Sequence, residues 1–231
     1  KVFYGADERQ YFLYFAPEGV PRETVVVYVH GGGWNKGSPD FFTFIGQRFA
    51  REGYRCIMPG YRLAPGHPFP AQIEDVRAGN WAGLEYLRDR GMDLRRVVVV
   101  GSSAGAQLGA LLCYGGELAG RFAGFVGLGG PYRFDLEPTL SMKRLCKGLL
   151  GGGEALPAQP YYLLNEESPK TPMLIVQGLE DAVVGYACGA DFYRRALEVG
   201  IPARFYAPPT GRDSHSVYVA GCFLEECETV D

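Results

Sequence analysis

Residues 101–105 read Gly-Ser-Ser-Ala-Gly, directly after four valines at 97–100. A β-branched strand, a Gly-x-Ser-x-Gly turn and the helix-compatible stretch 104–112 follow one another. In that context the pentapeptide presents a nucleophilic serine on a tight strand-to-helix turn. Ser103 is placed at the strained apex, where side chains at 101 and 105 would collide with the neighbouring strand and helix. The string alone is modest, with on the order of 0.1 chance matches in a chain of this length. A serine hydroxyl attacks only when a base takes its proton, so the base and a group that orients it must lie elsewhere.

The chain has three histidines. His30 opens the glycine-rich His-Gly-Gly-Gly-Trp at 30–34. His67 is hemmed by prolines in APGHPFP. His215 lies in RDSHS, and it alone follows Ser103. The chain order serine, acid, histidine therefore selects His215 as the base. The third member must fix the imidazole tautomer and stabilise its charged form. Asp181 ends Gln-Gly-Leu-Glu-Asp, just past a strand-like run at 173–177. Its neighbour Glu180 competes, but the G-x-x-D spacing suits a carboxylate folded back toward the strand end. Three glycines at 31–33 let backbone N–H groups turn toward a ligand, as an oxyanion requires. The donors expected are Ala104, Gly32 and Gly33, with Gly31 as a further candidate. No GK[ST] follows and the loop lacks G-x-G-x-x-G, which argues against a phosphate loop. His30 is expected to prop the loop by a hydrogen bond.

These residues need a scaffold that brings strand ends together. Strand-like runs at 11–15, 24–29, 54–58, 96–100, 122–128, 173–177 and 203–206 alternate with helix-like stretches. Those stretches are 41–51, 71–88, 104–112, 187–199 and 217–227. The alternation predicts an α/β protein with a mostly parallel central sheet and helices on both faces. In such sheets the chemistry collects at the carboxyl ends of strands. Only 141–150 is helical within the proline-punctuated stretch 131–171. The whole of 1–231 is expected to form a single domain.

Net charge is −3 with no block of like charge, which leaves no electrostatic footprint for nucleic acid or an anionic membrane. No apolar run reaches the ~20 residues of a membrane span. The six cysteines at 56, 113, 146, 188, 222 and 227 lack metal-ligand spacing. They suggest buried thiols in a reducing cytoplasm, although a trimmed chain would leave room for export. The oligomeric state is not legible.

Taken together, HGGGW, YRLAPGHPFPAQIEDV at 61–76, GSSAG, the GLED acid loop and the late histidine resemble the hormone-sensitive-lipase-like esterases of the α/β-hydrolase fold. The opening YGADERQYFLYFAP and the short length are similar to the kynurenine formamidase and feruloyl-esterase-like branch of that superfamily. The resemblance implies a triad of Ser103, Asp181 and His215, and oxyanion donors at Gly32, Gly33 and Ala104. It also implies structural roles for 61–65 and Asp75. Two departures matter. About 23 residues precede the strand leading to HGGGW, so the N-terminal cap of lipase-like members is expected to be minimal or absent. Formamidases of this type often carry a histidine where this chain has Ser102.

The expected activity is hydrolysis of small soluble carboxylic esters through an acyl-serine, without metal or cofactor. Arylformamidase action with the same triad is the alternative, and a non-catalytic small-molecule binder the third reading. Trp34 is a candidate for the substrate pocket, with packing beneath the glycine-rich loop as its rival role. An open pocket predicts acyl chains of about two to six carbons.

Overall fold

The computed structural model describes residues 1–17, 19–92, 94–136, 139–212 and 214–224. Its strands are β1 (Val2–Phe3), β2 (Tyr11–Phe15), β3 (Thr24–Val29), β4 (Arg55–Pro59), β5 (Arg96–Ser102), β6 (Gly124–Leu128), β7 (Met173–Val176) and β8 (Ala203–Tyr206). Its helices are α1 (Thr43–Arg51), α2 (Ala71–Arg88), α3 (Ala104–Tyr114), α4 (Leu140–Leu150), α5 (Pro160–Leu163), α6 (Tyr186–Glu198) and α7 (His215–Val219). The eight strands form one sheet in the order β1-β2-β4-β3-β5-β6-β7-β8. The pairs β1/β2 and β2/β4 are antiparallel, and every later pair is parallel. The sheet is therefore mostly parallel, as the alternation predicts.

Period-two alternation sorts each central strand between two cores. Val25, Val27 and Val29 of β3 face the larger core, with Val76 and Leu87 of α2, Leu108 and Leu112 of α3 and Phe192 of α6. Val26 and Tyr28 face the other, with Ile45 of α1 and Tyr218 and Val219 of α7. A strand buried on both faces must be apolar at every position, which accounts for the unbroken valine runs. Helix α3 is buried along its whole length. It reads apolar all round rather than amphipathic because it packs on the central strands β5 and β6.

Three local expectations need correction. The stretch 41–51 is not one helix, because a short 3-10 turn, Pro39–Phe42, leads into α1. The last helix ends at Val219 rather than Cys227. Ala220 leaves helical geometry at φ −144 and a 3-10 turn, Gly221–Phe223, follows. Residues 225–227 of that expected helix lie outside the described residues. Nor is 141–150 the only helical part of 131–171: a 3-10 turn, Leu156–Ala158, and the single-turn α5 follow, and like the two-residue β1 they carry too little periodicity to be read from sequence.

Candidate active site

The parallel strands β3, β5, β6 and β7 end at one rim of the sheet, and every residue singled out above for nucleophile, acid, base or oxyanion chemistry lies just past such an end or opens a helix there. Ser103 joins β5 to α3 with φ 53 and ψ −122, a strained conformation for a non-glycine residue. Close packing enforces it. A methyl group on Gly105 would stand 2.1 Å from the Val29 carbonyl oxygen, and one on Gly101 would stand 2.3 Å from that of Gly105. The chain is thus turned sharply between β3 and the first turn of α3. Ser103 N–H donates to the Leu128 carbonyl at 2.7 Å, tying the apex to β6. The adjacent Ser102 hydroxyl is engaged with Tyr28 Oη at 2.7 Å in the buried interior.

Next to the apex runs the loop 30–37. Gly32 adopts φ +122, a region closed to side chains, and its carbonyl accepts the N–H groups of Asn35 and Lys36. Ala104 begins α3, so its N–H belongs to the first turn and has no acceptor within the helix. Gly31, Gly32, Gly33, Ser103, Ala104 and His215 line one cleft of about 550 Å³. Its walls are mainly apolar, with Phe42 on one side, Met142 and Leu145 of α4 on another, and Val183 and Val219 beside His215.

The loop rests on a buried polar and aromatic platform. His30 Nδ1–H donates to the Gly31 carbonyl at 2.7 Å, and its ring stacks on Tyr61 at 4.3 Å. Tyr61 Oη donates to the His30 carbonyl at 2.9 Å. Burial lowers the His30 pKa to about 4, so the ring is neutral at ordinary pH. Below it, Asp75 accepts from Arg62 through backbone and guanidinium and from Gln10 Nε2. The structure thus gives His30 and Asp75 the bracing contacts that the sequence suggests. His67 lies elsewhere, beside Asp7 at 3.7 Å, and does not border the cleft.

Trp34 borders the cleft, in keeping with its candidacy for the pocket, while being only 1% exposed. Its indole N–H donates to Gln107 Oε1 at 2.9 Å, and its ring meets Phe134 edge-on. Gln107 in turn donates to the Ala158 carbonyl at 2.6 Å. The indole thus also packs beneath the loop, where its buried N–H needs a partner and Gln107 of α3 supplies it.

Across the cleft, His215 Nδ1 lies 2.7 Å from Asp181 Oδ2. The other carboxylate oxygen accepts the backbone N–H groups of Val183 and Val184 at 2.8 and 2.9 Å. Burial pushes the Asp181 pKa up, but the hydrogen bond and charge of His215, with Tyr218 and Val184 N–H, outweigh it and hold the carboxyl below its ordinary range. The neighbouring Glu180 is exposed. Two residues not singled out in the sequence join this cluster. Tyr218 Oη donates to Asp181 Oδ2, and Gln177 Nε2 donates to Tyr218 Oη at 3.0 Å. The only sequence signal for Tyr218 is its position one helical turn after His215, on the same face of α7.

A family model described as alpha/beta hydrolase fold matches residues 26–122, which span the glycine-rich loop and the Ser103 turn. The carboxylesterase NlhH of Mycobacterium tuberculosis is 35% identical over 105 residues, covering 43% of this chain and 32% of the relative. The tuliposide A-converting enzyme b1 of Tulipa gesneriana is 39% identical over 93 residues, covering 35% of this chain and 25% of the relative. The matches thus span about a third or less of these relatives' length. A truncated carbohydrate esterase from gut microbiota superimposes with TM-score 0.73 at 19% identity, covering 92% of this chain and 85% of that one. The chain has the α/β-hydrolase fold. Among the described residues, no helix is long and apolar enough to cross a membrane.

Proposed function

We propose that this protein is a serine hydrolase of small carboxylic esters, with Ser103, Asp181 and His215 as its triad. One observation carries the reading. A buried carboxylate is paired at 2.7 Å with an imidazole that opens onto the same cleft as a serine held at a strained turn apex. A binding protein would have no use for that alignment. His215 Nε2 takes the proton of Ser103 as Oγ attacks the ester carbonyl. Asp181 holds Nδ1–H and stabilises the imidazolium. The N–H groups of Ala104, Gly32 and Gly33 receive the oxyanion, with Gly31 beside them. His215 then protonates the leaving alcohol, and water repeats the sequence on the acyl-serine.

The apolar walls and modest volume of the cleft favour short acyl chains, of about two to six carbons. Support for ester chemistry also comes from NlhH and the gut-microbiota structure, both of which are named as esterases. A reducing cytoplasm is the proposed setting. Cys56, Cys113, Cys146 and Cys188 are buried free thiols, a usage suited to that compartment.

The test is a substrate panel with wild type and Ser103→Ala. It compares p-nitrophenyl esters of increasing acyl length, feruloyl esters and N-formylkynurenine. The expected result is turnover of short esters that falls by ~10⁴–10⁶ in kcat on substitution, with the fold intact. A serine-directed phosphonate should label Ser103 and spare Ser102. Turnover confined to N-formylkynurenine would move the activity to formamide cleavage. A Ser103→Ala protein keeping a tenth of the rate would overturn the mechanism.

A further inference from the structure

Asp181 Oδ2 accepts more than the imidazole. The Tyr218 hydroxyl donates to the same oxygen, and Gln177 Nε2 approaches it at 3.3 Å. Gln177 also donates to Tyr218 Oη at 3.0 Å and to the Val184 carbonyl at 2.8 Å. These groups form a directed chain, from the Gln177 amide to the Tyr218 hydroxyl to the carboxylate that holds His215. Tyr218 is 4% exposed and Gln177 wholly buried, so bulk water does not compete for these bonds.

We propose that Tyr218 is a positioning residue that, acting through Asp181, sets the basicity of His215 and so the pH range in which Ser103 is activated. This rests on the hydrolase reading above. The argument is electrostatic. A carboxylate oxygen that already accepts an O–H bond has less negative charge to offer a second donor. It therefore stabilises the imidazolium less than a carboxylate bonded to His215 alone, and the base loses its proton at lower pH. Hydrogen bonds in a water-poor interior polarise one another, so the Gln177 amide strengthens the donation of Tyr218. Geometry adds a second effect. His215 and Tyr218 lie one turn apart on α7, so a bond from each to Oδ2 fixes both the carboxylate and the helix that carries the base.

The other groups facing this cluster are consistent with that role. Tyr132 lies near Tyr218, and Cys188 near Asp181. Both are buried, and burial raises each so that it stays neutral at ordinary pH. Burial and the adjacent Asp181 charge likewise push Tyr218 far above its ordinary range, so it remains a proton donor. On the open side, Ser103 and the exposed Lys36 border the cleft, and Lys36 would act alike in wild type and variant.

The experiment is the pH profile of kcat/KM for p-nitrophenyl butyrate in wild type, Tyr218→Phe, and protein carrying 3-fluorotyrosine at position 218. Tyr218→Phe removes one donor and keeps the ring. Its acid limb should move to higher pH by about half a unit to one unit. On the plateau kcat should fall by about tenfold or less, with KM within twofold. Fluorotyrosine is the stronger donor and should move the limb to lower pH. It also decides the matter alone if the phenylalanine variant does not fold. A purely structural Tyr218 would lower the plateau or the melting temperature and leave the acid limb in place, which would overturn the proposal. That result with Ser103→Ala inactive would leave the hydrolase reading standing, whereas an active Ser103→Ala protein would remove its basis.

Discussion

On the β3–β5 side of the cleft, Ser103 and its loop are held by contact between backbones. Gly105 lies so close to Val29 that no side chain fits between them. On the β7 side, Asp181 and His215 are held by hydrogen bonds from Val183, Val184, Tyr218 and Gln177. The difference follows from what each side must do. A nucleophile at a turn apex needs one fixed position, which steric exclusion supplies. An acid and a base must respond to charge, and only polar partners can tune that. Damage should therefore differ in kind. A change on the first side should cost stability and activity together, and a change on the second should cost activity with little loss of fold.

Asp181→Asn should have the largest effect, lowering kcat/KM by ~10⁴-fold, because the amide favours the wrong imidazole tautomer. Glu180→Gln should stay within about threefold of wild type. Steady-state kinetics and thermal melts of both decide the point. Equal losses would move the acid by one residue, and a collapsed melt for Asp181→Asn would erase the distinction between the two sides.

Gly105→Ala tests the contact-held side. Its methyl group would force β3 and α3 apart, at a cost of about 3 kcal/mol or more. For a chain of this size that lowers the melting temperature by roughly 6–12 °C, with activity falling in parallel. A variant that melts like wild type would show that the elbow is looser than the packing implies.

A pH effect sharpens the same contrast. The unfolded chain protonates His30 near its ordinary value of 6.5, whereas the buried ring resists down to about 4. Between those values the unfolded state binds the extra proton. Stability from this residue is therefore full above about pH 6.5 and declines by ~3 kcal/mol as pH falls to 4. Asp181 is shifted in the same direction, in a lower window of pH. Its lowered carboxyl contributes stability above its unfolded value of 3.8, lost only as pH falls further. Urea titrations at pH 7.5 and 5 should show a clear drop for wild type and a flatter one for His30→Gln. An unchanged slope would place the acid lability elsewhere.

The smallest effect concerns the wall. Leu145 of α4 packs against Gly33, so α4 bounds the cleft beside the proposed oxyanion donors. Leu145→Ala should shift the preferred acyl chain up by one or two carbons. Each added methylene should gain at most about fourfold in kcat/KM, from ~0.8 kcal/mol of burial. Rates against acyl length check this, and an unmoved optimum would mean that the acyl group lies along another wall.

The contact-held side was the more legible in the sequence. Small residues at 31–33, 101 and 105 are conspicuous in a string, and the valine runs mark the strands that bring them together. The polar side was legible only in part. Asp181 and His215 stand out by chain order, but Tyr218 gains its contact only from where the fold sets α7 beside the loop after β7, which no local pattern states. Gln177 reads as a strand end until its amide is seen to meet both Asp181 and Tyr218. Trp34 illustrates the converse limit. Its place after three glycines fits a cleft wall or a foundation equally, and the partner that satisfies its buried indole, Gln107, lies 73 residues away.

Strand order also dictates when the molecule acquires its chemistry. Strands β3, β4 and β5 are neighbours in the sheet and close in sequence, whereas Asp181 and His215 arrive late. At ribosomal speeds the 112 residues from Ser103 to His215 take on the order of ten seconds to synthesise. During that interval a nascent chain can carry a finished serine turn with no base to arm it. On the proposed triad, the growing polypeptide stays chemically silent until α7 is in place.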